Sequence, residues 1–442
     1  MHKLAKCLPK LGFLVTLFYG SIAYAATDYY VATVGSDSNP GTLSAPFLTL
    51  QRAANVATAG TTVHVAPGTY NQSSYCSIPA LGVSAETTVC MQTSGTAAAP
   101  ITFISDTKWG AKLTCPNGTS GSFFFLVASH IVVSGFDMTC PNGSDGWAAG
   151  MFGNNGYNTF FNNYLHDFSV NACISVGILM GSNASHLNWT NTGHNIYDSN
   201  VIRHGGANDS RYPQCNQYHG IYMTSTYEVA TNNIVSGMIG IGIQSYGGGV
   251  CHQTISNNTV FDNSQGGIIA ENTGATSGYA DMCGNGGVTD YETITNNIAV
   301  NNGYGNGYSG QDGGIHLYGS TPSNPGTHNL ISNNVAYGNS NWQSLATFPA
   351  GVNNTISGTN ASVFSNYQSD KNWAPASNYN FQNYAERSGS TSIGAGIATG
   401  APANDIVGVA RPQGGKYDIG AFQDVVATPG PPPPPRHHHH HH

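Results

Sequence analysis

The chain has 442 residues, a net charge of −8 and 40% hydrophobic residues, with only 8% charged. A chain this apolar and this sparsely charged is not disordered, since disorder needs low hydrophobicity with high net charge. The negative balance argues against a nucleic-acid partner or an anionic membrane surface.

At the N-terminus, Lys3, Lys6 and Lys10 precede an apolar run from Leu11 to Ala23 and the small-residue sequence Ala23-Tyr24-Ala25. This pattern predicts a secretory signal peptide over residues 1–25, too short and wrongly flanked for a membrane anchor. Tyr29-Tyr30-Val31-Ala32 reads as an edge strand, followed by a turn at Gly35–Thr42. Leu48, Leu50, Ala53, Ala54 and Val56 fall at helical spacing and predict a helix capping the open end of a repeat array. Strands follow at Thr62–Val65, Ile101–Ile104, Phe123–Leu126 and Ile131–Val133.

From residue 162 an asparagine motif recurs before short apolar segments, at Asn162-Asn163, Asn232-Asn233, Asn257-Asn258, Asn296-Asn297 and Asn333-Asn334, with a degenerate copy at Ser199-Asn200. Asn233 and Asn258 are 25 residues apart, while Asn163–Asn200, Asn258–Asn297 and Asn297–Asn334 are 37, 39 and 37 apart. A repeat of this length, built of short strands and Asn/Gly turns, predicts an all-β, single-domain parallel β-helix over residues 27–425. The asparagines are expected in turns, stacked as hydrogen-bonded ladders, and not as ligands.

Past Ser340 the pattern gives way to a polar run expected to pack as loops on the last coils. Residues 426–436 read as a Pro-rich linker and 437–442 as a histidine tag. Cys7 falls in the signal peptide, leaving eight cysteines. Pairing of sequence neighbours (76–90, 115–140, 173–215, 251–283) is expected in an exported chain. No Cys/His spacing suits zinc.

The run Tyr30-Val31, Gly35-Ser36-Asp37, Asn39-Pro40-Gly41-Thr42, Pro46-Phe47, Leu50-Gln51 and Pro67-Gly68-Thr69-Tyr70 resembles the opening of right-handed parallel β-helix proteins of the pectate-lyase-like superfamily, in its alginate- and chondroitin-lyase branch. Arg411-Pro412 and Asp418-Ile419-Gly420-Ala421-Phe422 resemble the closing strand of that group. The resemblance implies a secreted enzyme acting on a polysaccharide. It carries over fold more specifically than activity. The chain departs from it in two ways. No Asp cluster matches the calcium site of the calcium-dependent pectate lyases. No Lys lies between Lys112 and Lys371 to serve as a lysine base. Nothing in the residues requires a cofactor, and the resemblance leaves calcium open.

Five Gly-Ile segments, beginning at Gly177, Gly220, Gly240, Gly267 and Gly314, align so that Tyr222, Gln244, Glu271, His316 and Tyr318 face outward on one sheet as a strip for sugar rings. After the Asn pairs, His166-Asp167 aligns with Arg203-His204, Ser236-Gly237, Phe261-Asp262 and Val300-Asn301. His166, Arg203, His204, Arg211, His219 and Tyr222 are expected to converge at one end of the strip. That set suits β-elimination of a uronic-acid polysaccharide. Arg203 or Arg211 would neutralise the carboxylate, His219 or His204 would act as base, and Tyr222 as acid. His166, Arg211, Gln244, Glu271, His316 and Tyr318 would bind substrate. The alternatives are a glycoside hydrolase pairing Glu271 with Glu228, Asp281 or Asp312, a uronan epimerase, or a non-catalytic binding module. A monomer is expected.

Overall fold

The computed structural model describes residues 26–426, apart from 80–82, 117–119, 144, 147–148, 152–154, 169–175, 183–192, 207–216, 277–279, 306–312, 319–325, 341–350 and 372–377. The expected signal peptide, linker and tag lie outside the described residues.

Three sheets of eleven, nine and ten strands run along the molecule, and their strands pair in parallel from coil to coil except for one antiparallel pair, Ser74–Ile78 with Val83–Met91. One coil shows the plan. Val229–Thr231 belongs to the first sheet, Ile234–Met238 to the second and Ile241–Gly247 to the third, before the chain returns to the first at Thr254–Ser256. Inward side chains of successive coils stack into one core that includes Val133, Phe160, Tyr197, Ala230, Ile255, Ile294 and Ile331. A parallel β-helix is therefore the architecture, as the repeat predicts.

The corner from first to second sheet explains the asparagines. The first residue of each pair takes a left-handed φ, from 56° at Asn257 and Asn333 to 61° at Asn162, a conformation Asn tolerates. The second residue is buried, and its amide joins a ladder Asn163, Asn200, Asn233, Asn258, Asn297, Asn334, Asn354, with Nδ2 to Oδ1 distances of 3.0–3.1 Å. Each Oδ1 also accepts the backbone N–H of the preceding coil. A shorter ladder, Asn263, Asn302, Asn339, turns the corner from second to third sheet.

The corner from third to first sheet was not foreseen. His130, Tyr157, His194, Tyr227, His252, Tyr291 and His328 stack ring on ring, with centroids 4.4–5.0 Å apart. Tyr227 is 46% exposed, so its contribution is the two ring contacts rather than core burial. Tyr227→Ala should lower stability by about 1–3 kcal/mol in urea unfolding, through loss of both stacks. A change below about 0.5 kcal/mol would show that the column does not hold the corner.

The capping helix is present at Leu50–Val56. Thr49 caps it by accepting the N–H of Arg52, and Leu50, Ala53 and Ala54 are buried in the first coils. Three expected disulfides form, Cys76–Cys90, Cys115–Cys140 and Cys251–Cys283. Cys173 and Cys215 lie outside the described residues. Among the described residues no helix is long and apolar enough to cross a membrane.

Two expectations for the C-terminal run need correction. It does not stay on the last coils but reaches back over the outer face of the second sheet, where Asp370 meets Arg203 and Ser236, and Arg411 meets Asn232. The Asp418–Phe422 segment forms no strand. Its carbonyls at Asp418 and Gly420 are taken by the Asn257 side chain, and Ile419, Ala421 and Phe422 are buried in a second apolar cluster with Phe261 and Ile298.

Candidate functional site

The strand alignment of the second sheet is as read from sequence: His166, Arg203, Ser236, Phe261 and Val300 are in register. The next positions, Asp167, His204, Gly237, Asp262 and Asn301, all have φ between 55° and 64°. This bend turns His204 back along the outer face of the sheet. A continuous chain of charge results. His166 bridges Asp137 (2.7 Å) and Asp167 (2.6 Å), and His204 bridges Asp167 (3.0 Å) and Asp370 (2.8 Å). Arg203 grips Asp370 through Nε (3.1 Å) and Nη2 (2.5 Å), and Ser236 donates to the same carboxylate at 2.7 Å.

Each imidazole here has a carboxylate at both nitrogens, and only the doubly protonated ring can donate to both. Burial opposes the charge on His166 and His204, but the carboxylate hydrogen bonds outweigh it and raise both above the ordinary histidine value. The same bonds hold Asp167 and Asp370 below the usual carboxylate range, again against burial. Three cations face three anions. Arg203 is 2% exposed, with the Tyr379 ring 4.0 Å from its guanidinium carbon. Behind Asp370, Asp262 accepts its backbone N–H and the Tyr367 hydroxyl. Burial nonetheless pushes the Asp262 carboxyl up to about 6.

On the third sheet the sequence alignment slips in two copies. Leu179, Ile221, Ile243, Ile268 and Ile315 share one inward column, so Gly242, not Gly240, matches Gly220. The outward column is then Met180, Tyr222, Gln244, Ile269 and His316, and the next holds Tyr246, Glu271 and Tyr318. Met180 and Gln244 thus move relative to the sequence reading. At Gly240-Ile241-Gly242-Ile243 two Gly-Ile pairs offer two registers and pairing with Ile221 and Ile268 selects Ile243, while at the first copy Gly177 pairs with His219 and Leu179 with Ile221. His219 sits beside Tyr222, ring centroids 5.2 Å apart. Its Nδ1 accepts the backbone N–H of Ile241 at 3.1 Å, which leaves Nε2 as the protonated nitrogen. Burial pushes His219 down to about 3 and His316 to about 4, so both rings are neutral near pH 7. His219, Tyr222, Gln244 and His316 are only 4–6% exposed, whereas Tyr246 and Glu271 are half-buried. Burial raises the Glu271 carboxyl.

The structure therefore divides the expected set. His166, Arg203 and His204 meet on the second sheet, and His219, Tyr222, Gln244, Glu271 and His316 share the third, with Tyr318 in register. Arg211 lies outside the described residues. Asp137 and Asp370, which complete the charge chain, went unnoticed in sequence. Asp370 is 167 residues from Arg203, and nothing local links them. Among the described residues no group of three or more His, Cys, Asp or Glu is placed to hold a metal ion.

Stacked parallel coils of three sheets with asparagine corners define a parallel β-helix. Residues 29–210 match the family described as the Pel9A-like, right handed beta helix region. Among solved structures, pectate lyase Pel9A is similar at 17% identity, covering 90% of this chain and 97% of that one, with a TM-score of 0.48. A rhamnogalacturonan lyase is similar at 16% identity over 70% and 82% of the two chains, TM-score 0.46. A GH136 lacto-N-biosidase from Eubacterium ramulus is similar at 11% identity over 74% and 67%, TM-score 0.34. No curated protein matches the sequence. At these identities the likeness is one of fold.

Proposed function

We propose that the chain is an exported enzyme that cleaves a uronic-acid polysaccharide by β-elimination on the outer face of the third sheet. The observation that carries this reading is the column Tyr222, Gln244, His316 with His219 at its side, next to the more open Tyr246 and Glu271. Burial leaves His316 unprotonated at neutral pH, so it can accept a proton. His204 cannot serve, since both nitrogens donate to carboxylates. His219 is a donor from Nε2, suited to a substrate oxygen. Tyr222 protonates the leaving oxygen. No Lys or Arg occurs in the described strands of this sheet. The cation that neutralises the substrate carboxylate would be Arg211, which precedes His219 by eight residues. Arg203, already gripped by Asp370, is not available for that role. The signal-peptide pattern expected over residues 1–25 and the disulfides support an extracellular setting.

The raised Glu271 carboxyl favours a second reading, a glycoside hydrolase, but a partner carboxylate is hard to find. Glu228 is fully buried and held by Asn195, Tyr197 and the Ser225 N–H, and Asp281 accepts from the N–H groups of Gly284 and Gly286. Asp312 lies outside the described residues.

Uronic-acid and neutral polysaccharides, screened with and without a calcium chelator, separate these readings. Unsaturated products absorbing in the ultraviolet are expected, and Tyr222→Phe and His316→Gln should each lower the rate about a hundredfold. New reducing ends without that absorbance would establish the hydrolase instead, and binding without turnover a binding module.

A further inference from the structure

The charge chain of the second sheet leaves two polar groups unused. Arg203 spends Nε and Nη2 on Asp370, but its buried Nη1 makes no hydrogen bond. The hydroxyl of Tyr379, whose ring packs on that guanidinium, is likewise buried without a partner. A buried donor without an acceptor costs about 1–3 kcal/mol, so two at one spot call for an explanation. Both residues line the same cavity of about 180 Å³ between the second sheet and the C-terminal run. Gln368, Asn378, Asn380 and Asn383 complete its polar wall, and the Tyr384 ring adds an apolar one.

We propose that this cavity is a binding site for a single uncharged sugar ring, separate from the face of the third sheet. The cavity has room for one ring. The wall offers amides, a hydroxyl and a guanidinium N–H beside aromatic rings, the mixture that matches a ring with hydroxyls on its edge and C–H groups on its face. Charge selects against an acid. Arg203, His204 and His166 are already balanced by Asp370, Asp167 and Asp137, so a further carboxylate would leave the site net negative. An acceptor oxygen of a neutral ring satisfies Nη1 without disturbing that balance.

The site does not depend on the proposed β-elimination, and its test reads binding alone. Ligand-observed NMR titrations of the full chain with D-glucose, D-xylose and D-glucuronate should show saturable binding of at least one neutral sugar in the millimolar range, tighter than glucuronate. Tyr379→Phe keeps the ring on Arg203 and removes only the hydroxyl, and should weaken binding about two- to tenfold. Asn383→Ala, which leaves Arg203 and its ring partner in place, should also weaken it. Tyr222→Phe should leave the affinity unchanged, because Tyr222 lies on the other sheet. Absence of saturable binding by either neutral sugar, unchanged affinity in both cavity variants, a preference for glucuronate in the binding that Tyr379→Phe weakens, or loss of neutral-sugar binding in Tyr222→Phe would each overturn the proposal. Tyr379→Phe should retain whatever polysaccharide cleavage the unaltered chain shows, so failure here and failure of the cleavage reading are told apart.

Discussion

Asp370→Asn should destabilise the protein by about 3–5 kcal/mol, the range expected when one partner of a buried ion network is removed. The amide cannot compensate Arg203 and His204 together, and both remain buried, Arg203 at 2% and His204 at 0% exposure. The substitution also releases the carboxylate that ties the C-terminal run to Arg203, His204 and Ser236. Limited proteolysis should therefore cut within residues 364–386 before the coils unfold, and urea unfolding should give the magnitude. A loss below about 1 kcal/mol with unchanged proteolysis would mean that the apolar contacts of Phe364, Tyr367 and Tyr384 on Phe261 hold the run by themselves.

The same network sets a pH dependence with a definite sign. His166 and His204 have folded pKa values raised above the unfolded value of about 6.5. Their stabilisation is fully present below that value and is lost as pH rises through the raised folded values. Asp167 and Asp370 are lowered, so their share is present above the ordinary carboxylate range and lost only in strong acid. Protection of the 364–386 segment in hydrogen exchange, corrected for intrinsic rates, should fall as pH rises above the ordinary histidine value. It should be flat across that range in Asp370→Asn.

The second large effect is expected at the corner ladder. Asn258→Ala should cost about 3–5 kcal/mol in urea unfolding. The Asn258 Oδ1 accepts both the backbone N–H (2.9 Å) and the Nδ2 (3.0 Å) of Asn233, and its Nδ2 donates to Ala230 O (2.9 Å) and Asn297 Oδ1 (3.0 Å). Truncation leaves the Asn233 N–H with no acceptor inside a dry core, a penalty of about 1–3 kcal/mol beyond the lost bonds. The first residue of a pair has a different task. Asn353 is exposed at φ 59°, so Asn353→Gly should change stability by less than about 1 kcal/mol. Equal losses in the two variants would contradict the division of labour between first and second residues of the Asn pairs.

Much of this was legible before any coordinates. The Asn pairs announce the coil because a left-handed corner and a stacked amide both demand that residue, at every turn, whatever the loop between. The ring column carried a signal of the same kind. A His or Tyr two residues before a first-sheet strand appears at His194, Tyr227, His252, Tyr291 and His328. It escaped because His and Tyr alternate and no single letter repeats.

The candidate site was less legible. Alternation along a strand fixed which residues of a sheet share a face, but not which faces the rest of the chain covers. Arg203 and His204 look like catalytic groups when only their neighbours in sequence are known. With Asp370 laid over them they become one end of a buried, balanced chain of charge. For this protein the repeat alone determined the coil, its asparagine-pair corner and the register of the second sheet, because those depend on contacts that recur at each turn. The register of the third sheet at Gly240–Ile243, the path of the C-terminal run and the cavity beside Tyr379 were decided only in three dimensions. The first rests on pairing with the neighbouring coils at Ile221 and Ile268; the other two rest on single contacts between segments more than a hundred residues apart, such as Asp370 with Arg203, and one sequence holds no second copy of such a contact to reveal it.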